Sequence, residues 1–190
     1  NIGDLDGDGV NDLAVGAFKD DAGGTERGAV HIMFMDIDGT VKSTREINSG
    51  SDSASGPVLR DGDRFGFSIA NIGDLDSDGV NDLAVGASQD DMDENGDATG
   101  ATNRGAVHIM FMDTDGSVKS TEEINDYTTN GPVLVDNDFF GGSVANIGDL
   151  DGNGVIDLAV GASYDNAGGT DQGTVHILFL HETTKPTVTI

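Results

Sequence analysis

One string governs what this chain can fold into. NIGDLDGDGVNDLAVGA begins at Asn1, returns as NIGDLDSDGVNDLAVGA at Asn71 and returns again as NIGDLDGNGVIDLAVGA at Asn146. The spacings are 70 and 75 residues. A second block follows each copy: RGAVHIMFMD from Arg27 and from Arg104, and QGTVHILFLH from Gln172. A third block, GPVLRDGDRFGFSIA or GPVLVDNDFFGGSVA, precedes the second and third copies. A fixed period of this kind marks a repeat architecture, in which one supersecondary unit is laid down several times. The units divide as residues 1–50, 51–125 and 126–190. The first lacks the leading Phe-Gly block, and the third ends in a β-branched tail, Lys185 to Ile190. The loop Ser88–Arg104 is seven residues longer than its counterparts and reads as an exposed excursion.

The pattern inside a unit is that of strands. FGFSIANI and FGGSVANI are short and bounded by turn residues, LAVGA is a compact apolar run, and AVHIMFM is rich in β-branched and large apolar residues. An Asp-x-Asp-Gly turn follows at Asp36–Gly39 and at Asp113–Gly116, and weaker strands follow at 44–47 and 121–124. No segment holds a helical period with caps, so helix should be scarce. The expected fold is all-β: tandem four-stranded antiparallel blades of a propeller-like array, about three in number, the first incomplete.

Between the first and second strands of each unit lies an aspartate-rich loop. In Asp4-Leu5-Asp6-Gly7-Asp8-Gly9-Val10-Asn11-Asp12 the side-chain oxygens of Asp4, Asp6, Asp8 and Asp12 and the carbonyl of Val10 are spaced to wrap one hard cation. The second loop offers Asp74, Asp76, Asp78, the Val80 carbonyl and Asp82, and the third Asp149, Asp151, Asn153, the Val155 carbonyl and Asp157. Calcium takes about six to eight oxygens in loose geometry, whereas magnesium demands a tight octahedron and zinc prefers nitrogen or sulfur. The expectation is about three Ca²⁺ per chain. An EF-hand would need a bidentate Glu at its twelfth position, and here that position is Val15, Val85 or Val160. Asn153 replaces a carboxylate with an amide, so the third site is expected to be the weakest.

Charge supports this. The chain carries 35 acids against 9 bases, a formal net charge of −26. Such a surface repels nucleic acid and anionic membranes, and it repels itself unless cations intervene. A solubilising acidic surface is the plainer account of the acids outside the loops. There is no cysteine, which excludes disulfides and thiolate metal sites, and no apolar run approaches the roughly 20 residues needed to span a membrane. No GxSxG elbow or P-loop is present, so an enzymatic role would need a domain elsewhere. His31, His108 and His176 recur at one place in the third strand, either as strand residues opposite Val30, Ile32 and Phe34 or as metal ligands. Asp20, Asp90 and Asp165 also align, as solvated loop residues or as part of a second, weaker site.

These residues resemble the FG-GAP repeat, the blade unit of the integrin α-subunit β-propeller. Phe65-Gly66 and Phe140-Gly141 match its Phe-Gly pair, and Gly16-Ala17, Gly86-Ala87 and Gly161-Ala162 match its Gly-Ala, with the calcium loop between them. The family's proline is replaced by Phe18, Ser88 and Ser163. The resemblance implies a calcium-loaded, non-enzymatic repeat protein that works outside the cell in a structural or adhesive role. Propellers close with about four to eight blades, more than this chain holds. Its partners are therefore expected to be copies of itself joined head to tail into an oligomer, tube or filament, or another extracellular protein. The alternative is a partner-recognition propeller segment of a larger secreted or surface protein, an accessory domain of an enzyme included.

Overall fold

A computed structural model describes residues 1–50, 55–91 and 102–181. Ten strands make three antiparallel sheets, with no helix among the described residues. The first sheet holds β1 (Leu13–Ala17), β2 (Ala29–Met35) and β3 (Val41–Ile47). The second holds β4 (Phe65–Gly73), β5 (Asp82–Ala87), β6 (Ala106–Met112) and β7 (Val118–Ile124). The third holds β8 (Phe140–Gly148), β9 (Asp157–Ala162) and β10 (Thr174–Leu178). Neighbouring strands follow each other in sequence, so every sheet is a meander. These are three blades, and they do not close into a ring.

The first blade shows one rung ahead of β1. Gly3 bridges Asp12 just as Gly73 pairs with Asp82 and Gly148 with Asp157. The fourth strands, β3 and β7, are longer than their sequence suggests and begin at Val41 and Val118. Both hairpins pass a bulge beside the Asp-x-Asp-Gly turn, at Phe34/Met35 and Phe111/Met112. The proposed closing strand at Lys185–Ile190 and most of the long loop after Ser88 lie outside the described residues.

The core lies between the sheets. Strand alternation sends Met110 and Met112 to one side of β6, where they join Ile32, Phe34, Phe65 and Val85. It sends Val107, Ile109 and Phe111 to the other, against Phe140, Leu158 and Val160. The middle blade is thus covered on both faces, and β5 and β6 are buried at every position.

The Phe-Gly and Gly-Ala signatures meet across these interfaces. A side chain on Gly16 would strike the Gly66 carbonyl, with Cβ only 1.9 Å from the oxygen, and one on Gly86 would lie 2.0 Å from the Gly141 carbonyl. Gly66 and Gly141 also sit at φ +83° and +81°, where glycine is least strained. The paired glycines let two backbones touch. Each Phe-Gly phenylalanine then packs edge-on to the histidine of its own blade: Phe65 on His108 and Phe140 on His176, at 5.5 and 5.4 Å.

Candidate metal centres

Each aspartate-rich loop is wound around its first residue. Asp4 Oδ1 accepts from the amides of Gly7 (2.8 Å) and Asp8 (3.0 Å), and Oδ2 accepts from Gly9 (2.8 Å). Asp74 receives the amides of Asp78 and Gly79, and Asp149 those of Gly152, Asn153 and Gly154. These donors, Gly154 foremost, hold the Asp149 carboxyl below the usual carboxylate range. The sharp bend falls on Gly9, Gly79 and Gly154, all near φ +90°.

The bend gathers the acids. Asp4, Asp6 and Asp8 place one carboxylate oxygen each within 4.8 Å of one another, and so do Asp74, Asp76 and Asp78. In the third loop the set is Asp149, Asp151 and Asp157. Asn153 turns its amide nitrogen to the Leu180 carbonyl (2.8 Å), and its oxygen accepts from Val155 (2.7 Å). The amides of Val10 and Val80 likewise bond the side chains of Asp8 and Asp78.

The ninth-position aspartates do something further. Asp12, Asp82 and Asp157 are fully buried. Asp82 accepts the amides of Leu75 (2.8 Å) and Met112 (2.9 Å), one on each oxygen. Asp12 does the same with Leu5 and Met35, and Asp157 with Leu150 and Leu180. Each carboxylate thus ties its loop to the end of the third strand. Burial pushes Asp82 up to about 6, outweighing these two amides.

Two lysines enter the site that loop spacing did not indicate. Lys42 of β3 bonds Asp6 (2.9 Å) and Asp8, and Lys119 of β7 bonds Asp76 (3.0 Å) and Asp78. The Lys42 contact holds Asp8 below its ordinary value. Burial opposes the same effect at Asp78, but Lys119 prevails. The signal was present in the sequence, since both lysines stand in an identical VKST string.

The donor set suits a hard divalent cation. All clustered donors are oxygens, and Asp76 Oδ1 is buried with no hydrogen-bond partner. Four acids less one ammonium leave the first two loops at −3, and three acids leave the third at −3 as well. The order of affinity among the three loops is a matter for titration of each.

The FG-GAP repeat family model matches residues 2–33, 65–110 and 140–178. The chain belongs to the FG-GAP repeat family. It is 35% identical over 159 residues to integrin alpha-4 of Xenopus laevis, covering 84% of this chain and 13% of that protein. It is 36% identical over 164 residues to integrin alpha-5 of Xenopus laevis (84% and 14%) and 34% identical over 166 residues to integrin alpha-11 of Homo sapiens (84% and 12%). The chain thus spans about an eighth of the length of these relatives.

Proposed function

We propose that this chain is a calcium-braced arc of an extracellular, non-enzymatic β-propeller with an adhesion-type, protein-binding role. Three acid loops held in the same frame, each converging carboxylates within 4.8 Å, carry the reading. The ligands are the loop residues already named: in the first loop Asp4, Asp6, Asp8, the Val10 carbonyl and Asp12, and their counterparts in the other two. About three Ca²⁺ ions fill them, at the millimolar calcium found outside cells. Each ion cancels acid charge in a chain of net charge −26. The relatives named integrin support the adhesive role, and the acidic surface disfavours nucleic acid and anionic membranes. Calorimetric titration after chelation is expected to give about three calcium equivalents and a calcium-dependent rise in unfolding temperature. No binding at millimolar calcium would overturn the reading.

Both end blades present apolar surface, which favours completion by further blades. Leu13 and Val15 of β1 are 36% and 43% exposed, and Val175 and Ile177 of β10 are 65% and 41% exposed. Among the described residues Gly161 meets only Ser143 of its own blade, whereas Gly16 and Gly86 meet the backbone of the next one. Copies of this chain can supply that cover by head-to-tail docking. Light scattering in millimolar calcium reads this directly: oligomers that disperse on chelation support self-assembly, and a monomer in calcium assigns the cover to other blades or partners.

A further inference from the structure

The middle blade holds a second cluster, away from the acid loops. Four segments bring it together: Asp63 before β4, Asp90 after β5, His108 in β6 and Glu123 in β7. His108 and Glu123 are paired across the β6–β7 ladder. Asp90 Oδ2 lies 3.1 Å from His108 Nε2, and both side chains are 1% exposed. Asp90, His108 and Glu123 each place one donor atom within 4.8 Å of the others. Asp63 is also buried, at 4% exposed, and the charges of Asp90 and His108 act on it. Phe65 packs edge-on to the imidazole and fixes its plane.

Three carboxylates and one imidazole are an expensive set to bury. Asp63 accepts the Arg60 amide (2.5 Å) and Glu123 accepts the Asn125 side chain (2.5 Å). Burial, then the nearby acids, pushes Asp63 up to about 8, and burial pushes Glu123 up to about 7. A cation within the cluster would remove that strain. The third blade repeats most of the set in Asp138, Asp165 and His176, with His176 Nε2 3.3 Å from Asp165. There Asp138, 1% exposed, keeps its Oδ1 buried without a partner while the charges of Asp165 and His176 act on it. Among the described residues, only the middle blade brings three such donors, an imidazole among them, within 4.8 Å of one another.

We propose that Asp90, His108 and Glu123, with the Asp63 carboxylate nearby, form a buried site for a divalent transition ion of the zinc class, distinct from the aspartate-rich loops. The imidazole decides the class. Calcium takes oxygen donors, whereas zinc, cobalt and manganese accept a mixed nitrogen and carboxylate set. Enclosure by three segments suits a structural ion, which would pin the turn after β5 to the far edge of its blade. Glu123, at the partly exposed margin, is the way in. Since the ligands must be deprotonated, uptake releases protons and weakens on acidification.

The probe is Co²⁺, added to the chelator-stripped chain after the loops have been saturated with excess calcium. Visible d–d absorption and dialysis should report about one tightly held equivalent, displaced by Zn²⁺. His108→Gln and Asp90→Asn should each weaken uptake by at least about tenfold while leaving the calcium titration intact. If circular dichroism shows that His108→Gln fails to fold, Glu123→Gln carries the same reading. No Co²⁺ retained in excess calcium overturns the proposal, as does uptake that these substitutions leave unchanged.

Discussion

Lys42 and Lys119 place an ammonium against the acids that the aspartate-rich loops bring together. An internal cation and an external one then compete for the same oxygens. Replacing either lysine with methionine keeps the aliphatic stem and removes the charge. Each variant should bind calcium roughly fivefold more tightly in its own loop, the scale of an exposed ion pair or two. Titration of Lys42→Met, Lys119→Met and the parent chain will show whether the first two loops tighten while the third stays put. The ninth-position aspartate has the opposite character. Asp82 satisfies two buried amides as well as facing the loop. Asp82→Ala leaves both unpaired and should cost about 2–5 kcal/mol even in chelator. Asp78→Ala, at an exposed loop position, should destabilise the chain measurably only when calcium is present. Denaturant unfolding of both variants, with and without calcium, separates a staple from a ligand.

At the scale of strands and blades, the glycine pairs set the spacing. A methyl on Gly86 meets the Gly141 carbonyl, which belongs to backbone and has no rotamer to escape into. Gly86→Ala should therefore cost about 2 kcal/mol or more by forcing blades two and three apart. At Gly161 the nearest atom is the Ser143 hydroxyl, 2.4 Å away, which can rotate. Gly161→Ala should cost less than about 1 kcal/mol, and equal costs at both positions would refute this account of the interface. Much of this order was legible in the chain. The Phe65-Gly66 and Gly16-Ala17 signatures, the loop aspartates and the third strands could all be read before any fold was known. Depth could not. AVHIMFM occurs twice, yet His31 is half-buried in β2 and His108 is buried in β6. The strings are identical, and only the sheets on either side differ. The lysines were hidden for a related reason. Lys42 reaches Asp6 and Asp8 because the bulge at Phe34/Met35 sets the hairpin register, and no local propensity encodes that shift.

For the whole molecule the deciding quantity is its charge. At −26, the folded arc holds its acids closer together than the unfolded chain does, so self-repulsion favours unfolding. Two remedies act differently. Monovalent salt screens charges beyond a Debye length of about 8 Å at physiological strength. It cannot supply a ligand between carboxylates whose oxygens lie within 4.8 Å of one another. Under the proposed function calcium does both, since loading three ions would add about six units of positive charge at the points of greatest crowding. The loops also tie the first and second strands of each blade to the end of the third, so emptying them loosens each blade at one end. Chelation should therefore lower the unfolding temperature markedly in low salt. Raising sodium chloride to molar strength should recover part of the loss, and millimolar calcium should recover all of it. Thermal unfolding across these conditions tests the balance. Full recovery by sodium chloride alone would mean that the loops act through diffuse charge and not through coordination. Recovery by calcium at a few thousandths of that ionic strength would mean that the bound ions themselves hold the blades together.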